Sequence, residues 1–409
     1  MQSKFIFKLA LVLFLIPLSG CIHKLQFKQE PVVRIHLTSS TAYSTISSDC
    51  NIIVETNKMR GKSKSFSVWN IGIKGNKMYV EHNNKYIKNV GDWVKFYTEK
   101  PWGVLYLQGK GYKGALKFLY LNNKISVINE VNIEDYLKGV VPYEIGNLPL
   151  EKVEAVKAQA IAARTYAIRK MMYRKNNYFD LHSDIRDQVY KGIKENSDIT
   201  DMACEATRGM ILTYKHKPID AKYSSTCGGI TADARELWTD KKVPYLTPVV
   251  DARSRFIFKG KSFCSRSRYS NWEIQYNRND FFKLLKGNLI YLTGKQESEI
   301  GEIKNIKIVK RGPSRRVIEI IVYSNKGKYS ITKNNIRLLM KNSQNPKKSL
   351  LSTYFTIKQS KNKISIKGKG FGHGAGMCQY GAIGMASMGY GFREILKHYY
   401  HGARLEKVY

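Results

Sequence analysis

Glu154 Ala155 Val156 Lys157 Ala158 Gln159 Ala160 Ile161 Ala162 Ala163 Arg164 Thr165 Tyr166 Ala167 lies inside a stretch, Leu150 to about Tyr173, whose apolar residues recur at three- and four-residue steps. Val153, Val156, Ala160, Ala163, Ala167 and Met171 share one helical stripe, so the spacing predicts one long helix. Its alanines let a neighbouring element approach closely. Within it Lys157, Gln159 and Arg164 are polar. Arg164 sits beside small residues, where a solvated charge is not expected.

Just upstream, Asn132 is a suitable N-cap, and Ile133 Glu134 Asp135 Tyr136 Leu137 places acids where a helix dipole favours them. A short helix is predicted there. It leads into Gly139 Val140 Val141 Pro142 Tyr143 Glu144 Ile145 Gly146, an apolar run that delivers a lone carboxylate to a turn. Val140, Val141 and Pro142 are expected to desolvate Glu144 and raise its pKa. Downstream come Asp187 Gln188 Val189 Tyr190 Lys191 Gly192, then Tyr223 Ser224 Ser225 Thr226 Cys227 Gly228 Gly229 Ile230 Thr231. Last is Gly368 to Ala382, where five glycines in nine residues surround His373 and a helix is expected to follow. Glycine admits positive φ and close backbone approach, so this run is shaped around a ligand or another chain segment.

These ordered blocks resemble the stage II sporulation protein D family, also called the amidase-enhancer or LytB family, from about Val127 to Tyr409. The resemblance implies a lytic transglycosylase acting on peptidoglycan glycan strands whose stem peptides an upstream cell-wall amidase has removed. Glu144 stands at the family's catalytic glutamate. Such an enzyme needs one carboxyl: it protonates the leaving oxygen, then takes the proton of the sugar's own 6-hydroxyl, giving a 1,6-anhydro product. Hydrolases typically need a second carboxylate. Lys157, Arg164, Ser225, Thr226, Gly228, Gly229, His373, Gln379 and Tyr380 are the candidate substrate-binding residues. Two departures from the family pattern stand out. Ser224 replaces a histidine of many relatives. Tyr178 to Asp187 holds His182 and no cysteine, where some relatives bind zinc, so neither a metal nor any other cofactor is expected.

The remaining text sets compartment and architecture. Lys4 and Lys8 precede a short apolar stretch, Leu9 to Ile16, too short to span a bilayer. Residues 1–20 therefore read as a signal peptide. Leu18 Ser19 Gly20 Cys21 resembles a lipobox, making Cys21 the lipidation site and the protein an exported, membrane-anchored lipoprotein facing the cell wall or periplasm. The other cysteines are Cys50, Cys204, Cys227, Cys264 and Cys378, without a CxxC pair; a Cys227 to Cys264 disulfide is one option. The net charge of +37, from 69 basic and 32 acidic residues, fits an acidic envelope polymer better than nucleic acid in an exported chain.

The fold class expected is α+β. It comprises a small β-rich N-terminal module (21–126) and a catalytic domain (127–409) with a long central helix, mixed strands and an inserted β-rich lobe at about 273–355. Two further readings carry alternatives: a non-catalytic glycan-binding enhancer of a cell-wall amidase, and a cysteine nucleophile at Cys227 with His373 as base.

Overall fold

The structure is a computed structural model that describes residues 25–40, 43–88, 90–173, 178–193, 198–253, 261–341 and 348–409. The leader and Cys21 lie outside the described residues. Among the described residues, no helix is long and apolar enough to cross a membrane.

The alternating text of the N-terminal third folds as strands, as its period of two predicts. A seven-stranded sheet runs in the order Leu181–His182, Val32–Ser40, Lys124–Asn132, Ala115–Leu121, Trp93–Thr98, Ile52–Thr56, Arg60–Ser63. A six-stranded sheet runs Lys110–Tyr112, Leu105–Leu107, Ser44–Ser48, Trp69–Lys74, Lys77–His82, Lys85–Lys88. The inward residues of both join one core, with the rings of Trp69 and Phe96 5.8 Å apart between the sheets. The expected boundary after residue 126 falls inside the strand Lys124–Asn132, which pairs antiparallel with Val32–Ser40 and with Ala115–Leu121. That strand then runs directly into the helices that carry Glu144.

Helix α1 (Ile133–Lys138) forms where expected, but Asn132 makes no side-chain cap bond. Glu30 supplies one instead, its carboxylate accepting from the Glu134 N–H at 3.1 Å. After a one-turn helix, α2 (Val141–Glu144), a 3-10 turn at Leu150–Lys152 opens α3 (Val153–Tyr173). From Ala155 to Ile168 every residue of α3 is buried except Lys157. The alanines make this possible, since the helix is enclosed by α2, the helices Asp198–Ala206, Gln379–Ala386 and Phe392–Tyr399, and the strand Met210–Tyr214.

A second core lies in the region expected as the inserted lobe. It gathers Phe281, Leu285 and Leu289 of the helix Arg278–Thr293 against Ile306, Val317, Ile320 and Val322 of the antiparallel strands Ile303–Arg311 and Val317–Ser324. The strands Trp272–Asn277, Lys363–Gly368 and Phe355–Gln359 form its other sheet, so this core extends past residue 355 to Ile366.

Candidate active site

Three backbone segments converge on Glu144. The turn after α1 places Gly139 so close to the 187–192 loop that a Cβ there would meet the Gly192 carbonyl at 2.5 Å. That loop is aimed by buried Gln188, whose amide donates to the Tyr223 hydroxyl at 2.8 Å and accepts from the Tyr136 hydroxyl at 3.0 Å. The next residue, Val189, donates its N–H to Glu144 Oε1 at 2.8 Å. From the third side, Gln379 hydrogen-bonds the same carboxyl and reaches Gln159 Oε1 of α3 at 3.4 Å.

Burial pushes the Glu144 carboxyl above its ordinary range, opposed by the bonds from Val189 and Gln379. The protonated form is thus favoured by desolvation while two donors stand ready for the ionised form. Glu144 lines a cavity of about 1230 Å³ that also reaches Lys222, Trp238, Tyr269, Trp272 and His373. Asp187 lines it too, but its side chain is 0% exposed. Against the upward push of burial, its bonds to Lys170, the His182 N–H and Tyr166 hold Asp187 ionised.

Phe371, Gly372 and His373 of the glycine run also line the cavity. Gly370, Gly372, Gly374 and Gly376 all have positive φ, at 84°, 103°, 83° and 70°. A Cβ on Gly376 would lie 1.9 Å from the Lys222 carbonyl, so close approach requires glycine there. Met377–Cys378 pairs parallel with Tyr223–Ser224, and Ser224 Oγ accepts from the Gly374 N–H at 3.1 Å. Ser224 therefore ties the two blocks together.

His373 Nδ1 accepts from the Ala375 N–H at 3.1 Å, and its ring meets Trp238 edge-on at 5.0 Å. Burial first, then Lys222 and Arg337, drive its pKa down to about 3, so this histidine is neutral in the working range. Lys222 is one of the cations that line the cavity, with Arg186, Arg268, Arg337 and Lys348. It lies 4.6 Å from the Tyr166 ring centroid and 5.6 Å from that of Trp238, with Asp220 at 3.4 Å.

Of the sequence-derived candidates, Glu144, Ser225, His373 and Gln379 line the cavity together. The others stand elsewhere. Arg164 is 0% exposed, its fork spent on Glu134 at 2.8 and 2.7 Å and on the Cys204 and Met210 carbonyls. Lys157 pairs with Glu154 at 2.7 Å beside Phe392. Thr226 is buried, its hydroxyl bonded to Ser267 at 2.7 Å. Gly228 and Gly229 have positive φ, and Gly228 abuts Lys369 rather than the cavity. Tyr380 is partly exposed outside the lining, its N–H bonded to the Ser225 carbonyl. His182 sits in a strand beside His36. Cys227 is fully buried and absent from the lining, so the cysteine-nucleophile arrangement is not assembled.

Sequence reasoning missed Lys222, Trp238, Tyr269 and Trp272. Lys222 directly precedes the Tyr223 block, and only that adjacency could have pointed to it.

A family model described as stage II sporulation protein matches residues 121–214, and a second, described as a domain of unknown function, matches 232–376. The chain belongs to the stage II sporulation protein D family. It is 32% identical over 306 residues to a stage II sporulation protein D of Bacillus amyloliquefaciens, covering 71% of this chain and 78% of that protein. An uncharacterised protein of Brachyspira hyodysenteriae is 36% identical over 297 residues, 72% of each chain. The amidase enhancer of Bacillus subtilis is 31% identical over 370 residues, 82% of this chain; the match spans half of that longer relative.

Proposed function

We propose that this protein is a lytic transglycosylase that cleaves peptide-free peptidoglycan glycan strands, with Glu144 as its acid and base. The observation that carries the reading is a desolvated carboxyl, raised in pKa where the neighbouring Asp187 is lowered, and held by Val189 and Gln379 in the wall of a glycan-sized cavity. In the first half of the reaction the Glu144 proton passes to the glycosidic oxygen as its bond to the anomeric carbon breaks. In the second, the 6-hydroxyl oxygen of the same sugar bonds to that carbon and returns its proton to Glu144. No water enters, and the carboxyl ends as it began.

Tyr166, Trp238, Tyr269 and Trp272 offer aromatic faces for sugar C–H groups, and Lys222 offers a cation for the lactyl carboxylate that peptide removal exposes. Strands lacking stem peptides imply an amidase acting upstream. The expected export leader and Cys21 lipid anchor would deliver the enzyme to the envelope, and mass analysis of the mature N-terminus checks both.

Glu144→Gln keeps the shape of the side chain and removes its proton chemistry. It should cut release of anhydro-terminated fragments by roughly a thousandfold or more, while sedimentation with denuded strands persists. The likeness to an amidase enhancer favours one other reading, a module that binds glycan and stimulates an amidase. That reading wins if the wild-type protein releases no fragments yet accelerates a partner amidase.

A further inference from the structure

Behind the cleft wall, Cys227, Cys264, Cys378 and Asp251 meet, each 0% exposed. They come from three places: the loop after Tyr223–Ser224, the segment around 251–264, and the N-cap of the helix Gln379–Ala386. One sulfur or carboxylate oxygen from each lies within 4.8 Å of all the others. Cys227 Sγ and Cys264 Sγ are 3.8 Å apart. That is far from the roughly 2.05 Å of a disulfide. It matches the edge, about 3.8 Å, of a tetrahedron whose metal–sulfur bonds are about 2.3 Å.

Backbone donors reach one of the sulfurs, which also faces the Ser225 carbonyl at 3.7 Å. Cys378 Sγ accepts from the Cys227 N–H at 3.2 Å and the Gly381 N–H at 3.3 Å. Asp251 accepts from the Cys264 N–H at 3.0 Å and from the Tyr399 hydroxyl, which orient its carboxylate and leave each oxygen a further lone pair. The buried Arg316 guanidinium donates to the Cys227 carbonyl at 2.7 Å and the Ile230 carbonyl at 2.9 Å, adding one positive charge beside the cluster. The proposed reaction uses none of these four acids. Four acidic groups enclosed together need either to keep their protons or to share a cation.

We propose that Cys227, Cys264, Cys378 and Asp251 bind one zinc ion in a closed tetrahedral site of structural role. Three soft thiolates and one carboxylate select zinc among common divalent ions, and a full set of four protein ligands leaves no position for a reacting water. The ion would pin the Ser225 wall to the residue preceding Gln379, and so hold the Gln379 amide against Glu144. Binding displaces the thiol and carboxyl protons, so affinity rises with pH.

The test is metal analysis of the full-length protein, as purified, after refilling with Zn2+, and after exchange to Co2+. About one ion per chain is expected, and the Co2+ form should show thiolate charge-transfer and tetrahedral d–d absorption. Cys264→Ser should lower metal content roughly tenfold, while Cys50→Ser, outside the cluster, leaves it unchanged. If Cys264→Ser does not fold, the wild-type cobalt spectrum decides. Wild-type protein that stays far below one ion per chain after both refills overturns the proposal, as does a mapped Cys227–Cys264 disulfide. None of these readouts involves glycan cleavage, so they stand or fall separately from the proposed activity.

Discussion

Arg164 spends its guanidinium on a partner thirty positions upstream, and this explains why its role was illegible in the sequence. A charge among alanines signals a special site, but only the fold shows whether the partner is a ligand or a buried Glu134. The bidentate pair, closed further by the Tyr409 hydroxyl and the Gly209 N–H, ties α1, α3 and the C-terminus together. Arg164→Met would leave the Glu134 charge enclosed without a cation. A stability loss of about 3–5 kcal/mol is expected by chemical denaturation. His373 makes a second residue-level prediction. With its folded pKa near 3 and an ordinary value of 6.5, the unfolded chain binds more protons between those values. Stability should therefore fall as pH drops from 6.5 toward 3, and His373→Asn should flatten that acid limb in melting experiments. The desolvation of Glu144, by contrast, was legible, because an apolar run leads a lone carboxylate into a Pro and Gly turn, and burial does raise its pKa.

At the scale of elements, the long helix was readable from periodicity and its close packing from its alanines, while its burial on nearly every side was not. The glycine run was readable as a close-approach segment, but not as a fold device. Its glycines seat the strand pair Met377–Cys378 with Tyr223–Ser224 and stack the run on Lys222 and Arg316. Gly376→Ala puts a Cβ onto a backbone carbonyl at positive φ, where no side chain can rotate away. It should cost about 2–3 kcal/mol or more and lower cleavage along with stability, read by thermal unfolding and fragment release. The N-terminal cap of α1 was misread for a related reason: Asn132 has the right chemistry, but Glu30, about a hundred residues earlier, reaches the Glu134 N–H first. Local propensity predicts that an end must be capped, and tertiary contacts decide by whom.

Among the described residues of the whole molecule, two large apolar cores carry the architecture, one running from Val33 to Val408 and one within the lobe, beside a small cluster of Ala232, Leu237 and Ala375. The α+β class followed from the alternation of short strands with a strong helical period. Pairing across distance did not: the strand Lys124–Asn132 crosses the expected boundary, and three cysteines spread over 151 positions converge without any local spacing to announce them. The cavity lies where the first core meets the glycine run and the lobe strand Trp272–Asn277, so its aromatic rings come from both. The central claim is that Glu144 cleaves glycan with the sugar's own hydroxyl instead of water. The most direct measurement is mass spectrometry of fragments released from amidase-treated strands in water enriched in oxygen-18. The account predicts 1,6-anhydro ends, one water lighter than reducing ends, with no solvent oxygen incorporated at the cleaved bond and no such fragments from Glu144→Gln. Reducing ends carrying oxygen-18, or unchanged release by Glu144→Gln, would contradict it.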